Sequence, residues 1–221
     1  MEVPSIDVLG IHITEPFTWL TNWLVATFSF YFGHKLFYDP VPDIQKKFWG
    51  VFFFFMGLAS TTGGTAHGFI DYVGNNFHLA AWIFTGFAVF GAEMASLPLV
   101  RNIKLARLLR ILFYVQLFLM AGSVLIFQSF ESVRLNSFIG LIGIVLMIQL
   151  VYYIRFRTRR NGLIIIGILS NAIPALIHAI RVSYNEWFNF NDLSHVVMVG
   201  CFYIIYYGAK QPESKIQAVN G

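Results

Sequence analysis

Histidines and aspartates stand near the ends of apolar runs in this sequence. The stretch "GGTAHGFID" closes one run and carries His67 and Asp71, whose four-residue spacing places them on one face of a helix. The stretch "NFNDLSHVVMVG" opens another run and carries Asp192 and His195, three residues apart. Imidazole and carboxylate groups, in a chain with one cysteine, are ligands that suit zinc or another divalent first-row metal. These residue types predict a metal site that could activate water as a nucleophile.

The composition indicates which elements must position these residues. The chain has 221 residues, of which 57% are hydrophobic and 12% charged. Soluble domains carry about 25% charged residues, so the composition is typical of a membrane protein. A spanning helix needs about 20 mostly apolar residues. Seven such runs lie near 16–38, 49–73, 77–99, 104–127, 133–154, 162–183 and 192–209. The sequence predicts an all-α polytopic membrane protein with a single seven-helix domain over residues 1–221.

The cations are one-sided in a seven-span arrangement. Only Arg134 and Arg181 fall on one side, and the other side holds Lys35, Lys46, Lys47, Arg101, Lys104, Arg107, Arg110, Arg155, Arg157, Arg159, Arg160, Lys210 and Lys215. Acids lean toward the side of Arg134, as Glu2 and Glu15 do. The positive-inside rule then predicts an N-terminus outside and a C-terminus in the cytoplasm. Because topology explains the basic clusters, we expect membrane lipids and no nucleic acid as partners.

This topology brings four histidines to one outer level. His67 ends the second span, His78 begins the third, His178 lies in the outer half of the sixth and His195 begins the seventh. Taken singly, each of these histidines can be an interfacial residue with a hydrogen bond. Asp192 can likewise be a helix N-cap. Because ionisable residues in membranes usually mark function, the joint pattern predicts a shared site.

The layout resembles the seven-helix membrane hydrolases of the alkaline ceramidase and adiponectin-receptor superfamily. His67 in "GGTAHGF" matches the histidine on the second helix of that superfamily, and His195 in "NDLSHVVMVG" matches the later histidine on its seventh helix. Gly63 stands where the superfamily has a serine, and Asn191 stands where it has its first seventh-helix histidine. The predicted topology is like that of the ceramidase branch.

The resemblance implies a zinc-dependent hydrolase of a lipid amide or ester that enters from the bilayer. The metal ligands that it implies are His67, His195 and one of His178 or His78. Asp71 or Asp192 would handle the proton. Thr62 or Thr65 would supply the oxyanion contact that is lost with the serine.

Other functions are compatible with the same sequence. Glu93 lies well inside the third span, where a proton-coupled transporter or channel would use it as a switch and the outer histidines as a gate. Alternatively, Glu93 could pair with Lys104 or Arg107 near the inner interface.

Two further readings concern the histidines. Haem could bind between His67 and either His178 or His195 as axial ligands. A purely structural or partner-binding membrane protein would also accommodate these residues, and substitution of His67 or His195 would then change only stability.

Overall fold

The computed structural model describes residues 4–212, so Glu2 and Lys215 lie outside the described residues. A short antiparallel hairpin of β1 (Ser5–Val8) and β2 (Ile11–Thr14) precedes the helices. The helices are α1 (Pro16–Phe37), α2 (Ile44–Gly68), α3 (Ile70–Val73), α4 (Asn76–Ser96), α5 (Ile103–Phe127), α6 (Phe130–Ser137), α7 (Leu146–Phe156), α8 (Arg159–Ser170), α9 (Ala172–Ile180) and α10 (Phe190–Lys210). A 3₁₀ turn (Leu97–Leu99) follows α4, and a π-helical segment (Phe138–Val145) joins α6 to α7. The predicted all-α class is confirmed.

Within residues 4–212 the helices form seven rods, with bounds near those of the predicted spans. The rods are α1, α2, α4, α5, α6 to α7, α8 to α9, and α10. Five are long and apolar enough to cross a membrane: Asn76–Leu99, Ile103–Phe127, Phe130–Phe156, Arg159–Ile180 and Phe190–Lys210. The rods α1 and α2 are not in this set, and both bury polar side chains such as Asn22, Lys46 and Ser60. The five apolar helices are consistent with an integral membrane protein.

The rods pack around α2, which lies against α1 on one side and α4 on the other. The rod α10 packs on α1 and α8. Aromatic side chains fill the centre, where Trp49, Phe53 and Phe202 are buried. By contrast, α5 and the α6-to-α7 rod lie at the edge and expose large apolar side chains. Such an exposed apolar surface is typical of contact with lipid or with a partner.

The two ends of the bundle differ in chemistry. One end gathers the starts of α1, α4 and α10 with the end of α2, and we call it the histidine end because it contains Glu15, His67 and His195. At the opposite end Arg160 of α8 pairs with Asp43, which precedes α2. We call this the arginine end. The one-sided distribution of cations across a membrane stays a prediction.

The second helix is shorter than the sequence pattern predicts. It ends at Gly68, and the backbone N–H of the next residue, Phe69, donates to the carbonyl of Thr65. Asp71 therefore lies on the single turn α3 and is exposed. The interpretation that His67 and Asp71 share one helix face is wrong, because the backbone leaves helical geometry between them.

Close helix packing at Gly91 gives a testable prediction. A Cβ atom on Gly91 of α4 would lie 2.8 Å from the backbone nitrogen of Phe52 on α2, and backbone cannot move aside as a side chain does. We expect Gly91→Ala to lower the free energy of unfolding by about 1 to 2 kcal/mol, as overpacking does. Gly122→Ala on α5 is the control, since a Cβ there meets nothing within 4 Å. Equal thermal midpoints of the two variants in detergent would contradict the prediction.

Candidate functional site

A carboxylate–imidazole pair joins the start of α1 to the end of α2. Glu15 occupies the N-cap of α1 in a left-handed backbone conformation (φ 43°, ψ 55°), which is uncommon for a residue other than glycine. Its side chain hydrogen-bonds Nδ1 of His67. The hydroxyl of Thr14 on β2 donates to the backbone carbonyl of His67, so the hairpin also holds the end of α2. The hydrogen bond from His67 holds the pKa of Glu15 below its ordinary value, although partial burial opposes this.

The second imidazole of the cluster belongs to His78 on α4. The ring centroids of His67 and His78 lie 5.0 Å apart with their planes at 88°. Two imidazoles that share one tetrahedral metal through bonds of 2.0–2.1 Å have centroids about 5 Å apart. Since Nδ1 of His67 faces Glu15, Nε2 is the ring nitrogen left for a ligand. A carboxylate behind a metal-binding histidine is the usual orienting arrangement in zinc proteins.

A third histidine is oriented by a network between α1 and α10. The hydroxyl of Thr21 donates to Oδ1 of Asp192 over 3.2 Å and lies 3.1 Å from Nδ1 of His195. A hydroxyl that donates to the carboxylate can accept the Nδ1 proton of His195, which leaves Nε2 with a free lone pair. The other carboxylate oxygen of Asp192 accepts the backbone N–H of Asn189 over 2.7 Å in a capping box. Asn189 is therefore the N-cap of α10, so the alternative that Asp192 is the N-cap is wrong: Asp192 is the N3 acid of the capping box, and it also accepts from Thr21.

Three of the predicted site residues stand apart from this network. Asp71 is exposed, and no hydrogen bond or ion pair joins it to another residue in the part of the chain that the structure describes. The hydroxyl of Thr65 donates to the carbonyl of Thr61 in its own helix over 2.8 Å, so this hydroxyl does not point at the histidines. His178 is exposed on α9, and its ring centroid lies 5.1 Å from that of Phe190.

Glu15 is the site residue that the sequence pattern did not single out. By sequence, Glu15 groups only with the acids on the outer side. No sequence spacing links it to a histidine, because its partner His67 lies 52 residues further along the chain. A signal was present in its position, since it directly precedes the proline that opens the first apolar run, at the level of the outer histidines. Its role depends on the turn after β2, which local sequence patterns do not predict.

The fit of these residues to zinc can be judged from their chemistry and spacing. The donors are of the type that zinc prefers, and the His67–His78 pair has the separation of two ligands on one ion. Among residues 4–212, however, no three His, Cys, Asp or Glu side chains are grouped closely enough to hold a metal ion. His67 and His78 therefore fit zinc as two ligands, but no third ligand lies beside them among the described residues. The predicted zinc site stays a prediction.

The fold and the site define a class: a helical membrane protein with a histidine–carboxylate cluster at one end of its bundle. The chain belongs to a family of unknown function, DUF6962, whose profile matches residues 17–214. This match spans α1 to α10 and begins just after Glu15. Comparison with curated proteins and with solved structures finds no match.

Proposed function

We propose that this chain is a zinc-dependent membrane hydrolase of a lipid amide or ester, with its site at the histidine end. The observation that carries the proposal is the arrangement of Glu15, His67 and His78, in which a carboxylate orients one imidazole and a second imidazole stands at ligand separation. This is the donor chemistry that the resemblance to the ceramidase and adiponectin-receptor superfamily implies.

The proposal includes seven spans, an N-terminus outside and a C-terminus in the cytoplasm. The distribution of charge supports this orientation, because Lys46 and Arg160 are buried at the arginine end while the loops there carry further cations. Two spans, α1 and α2, are more polar than the rest. Their buried polar side chains are compatible with spanning helices because they face neighbouring helices and not the lipid.

Each residue of the cluster has a proposed role. His67 and His78, at ligand separation, are the imidazoles that would hold the ion, and Glu15 keeps the proton of His67 on Nδ1. His195 would complete the ligand set only by moving closer to this pair. Both carboxylate oxygens of Asp192 are already engaged, so Asp192 positions His195 through Thr21. A bound zinc ion would make a coordinated water acidic and polarise a carbonyl group.

Proton transfer and lipid access involve other residues of the same end. Asp71, which is exposed, is the carboxylate proposed to exchange protons with the aqueous side. The hydroxyl of Thr65 donates to a backbone carbonyl of its own helix and would have to break that hydrogen bond to contact an oxyanion. Phe17, Leu20 and Trp23 are exposed on α1 within eight residues of Glu15, which supports entry of an acyl chain from the bilayer.

Zinc content tests the proposal. We expect detergent-purified wild type to hold near-stoichiometric zinc by plasma mass spectrometry, and His67→Ala and His195→Ala to lose it. His34→Ala is the matched control, since His34 is exposed near the other end of α1. Glu15→Ala should weaken zinc affinity about 10–100-fold, the usual effect of removing an orienting partner.

Two further readouts separate the alternatives. Folded, never-chelated wild type without zinc would overturn the proposal. The absorption spectrum of the same sample tests haem, which would colour the protein. If zinc is present, release of fatty acid from an N-acyl sphingoid lipid and from a phospholipid distinguishes an amidase from an esterase. Zinc binding without cleavage of either lipid would contradict the proposed substrate class.

A further inference from the structure

A buried carboxyl group lies inside the bundle, away from the histidine end. Glu93 on α4 is 1% exposed, and its Oε1 has no hydrogen-bond partner among residues 4–212. It faces Gly140 of the π-helical segment, where an added Cβ would lie 2.8 Å from Oε1 of Glu93 and 3.0 Å from Nε2 of Gln116. Glu93, Gln116 and Gly140 therefore meet at one point between α4, α5 and the π-helical segment.

No charged group neutralises this carboxyl in the described part of the chain. Its polar neighbour is the amide of Gln116 on α5, and neither α2 nor the π-helical segment presents a cation or other titratable group to it. The alternative pairing with Lys104 or Arg107 is not formed, and both of these side chains are exposed. An unpaired carboxylate in such surroundings is costly, so a bound proton is the simplest means of neutralising it.

Buried polar groups extend from Glu93 toward both ends of the bundle. On one side the amide of Gln116 donates to Oδ1 of Asn136 on α6 over 3.0 Å. On the other side Ser96 lies one turn after Glu93 and accepts from Nε2 of Gln149 over 3.0 Å. Gln149 in turn accepts from Asn161, next to Arg160 at the arginine end.

These groups form two separate hydrogen-bonded sets, one on each side of Glu93. Ser96, Gln149, Asn161 and Asn136 are each at most 5% exposed. An ionisable residue inside a membrane bundle is costly and marks an ion or proton pathway by default, and neutral polar groups beside it can relay a proton. Helical segments of the π type occur often at functional sites, and this one contacts Glu93 directly through Gly140.

From this geometry we infer that Glu93 is a proton-binding site in the interior of the bundle, reached from the arginine end past Asn161, Gln149 and Ser96. The carboxylate takes one proton from water on that side and returns it there when its surroundings change. This site does not depend on zinc or on the histidine end. A proton-coupled carrier would require such a site, and the site itself can be tested without knowledge of a cargo.

Infrared spectroscopy of the full chain in lipid nanodiscs tests the inference. We expect a carbonyl-stretch band of a protonated carboxylic acid at neutral pH in wild type. This band should disappear in Glu93→Gln and persist in Glu131→Gln. Glu131 is the matched control because it is exposed and pairs with Arg134 over 2.6 Å. A wild-type spectrum without the band, or a band that survives in Glu93→Gln, would overturn the inference.

Two conservative variants keep the test open if Glu93→Gln does not fold. Gln116→Leu removes the neighbouring amide and should shift the band, because that amide contacts the carboxyl group. Gln149→Leu leaves Glu93 in place and should slow the hydrogen–deuterium exchange of the band, since it interrupts the polar groups on the side of the arginine end. An unchanged frequency in the first variant and an unchanged exchange rate in the second would overturn the site and its access route.

Discussion

Arg160→Ala is expected to lower the free energy of unfolding by about 3–5 kcal/mol, the range for removing one partner of a buried ion pair. The guanidinium of Arg160 pairs with Oδ2 of Asp43, and both side chains are 4% exposed. Without Arg160, the charge of Asp43 would stay buried and uncompensated. Thermal midpoints in detergent, measured for the two proteins side by side, would show the loss.

The size of this effect follows from the number of elements that Arg160 joins. Asp43 also caps α2, since its Oδ1 accepts the backbone N–H of Gln45 over 2.8 Å. Nε of Arg160 donates to the carbonyl of Gln211 over 3.0 Å, just beyond the end of α10. One side chain thus ties the start of α8 to the start of α2 and to the end of α10, so its removal weakens both contacts together.

The neighbouring arginine provides the control for this prediction. Arg159 is exposed, donates to the hydroxyl of Tyr207 over 3.3 Å and lies over that ring. Surface substitutions away from such buried features usually change stability by less than about 0.5 kcal/mol, so Arg159→Ala should leave the midpoint nearly unchanged. A similar loss in both variants would show that the cationic loop as a whole, and not the buried ion pair, is responsible.

The sequence predicted the fold class and the helix positions well because both depend on composition and on apolar length. Helix ends were less predictable. The predicted second span continued to residue 73, but α2 ends at Gly68, because the apolar pattern carries no signal for the change of backbone at Phe69. The predicted sixth span is likewise divided at Asn171 into α8 and α9. The first of these breaks places Asp71 outside the helix that carries His67.

The candidate site was predicted in part, for a related reason. The meeting of His67 and His78 follows from the antiparallel order of two consecutive helices, which the spans predict. The orienting partners do not follow from such a pattern. Thr21 contacts Asp192, which lies 171 residues away, and Glu15 reaches His67 only through its left-handed backbone. Such contacts depend on how helices rotate about their own axes, and local spacing does not determine that rotation.

Glu15→Ala is expected to cost about 2–3 kcal/mol of unfolding free energy, near the upper range for a hydrogen bond to a charged group. The Glu15 and His67 side chains are only 23% and 30% exposed, so water replaces the lost bond incompletely. The change also frees the start of α1 from the end of α2. Unfolding of the purified full chain in detergent at neutral pH measures the loss.

The acid dependence of stability identifies Glu15 as the source of that loss. Because the hydrogen bond from His67 lowers the pKa of Glu15 in the folded protein below its ordinary value of 4.5, the unfolded chain binds a proton first as the pH falls. The stability that Glu15 contributes is therefore complete above the ordinary pKa and is lost as the pH falls through the lowered one. Wild type should lose this contribution in acid, and Glu15→Ala should show a flatter profile over the same range. Glu131→Ala, at an exposed pair with Arg134, should follow the wild-type profile, and parallel profiles for all three proteins would contradict the assignment.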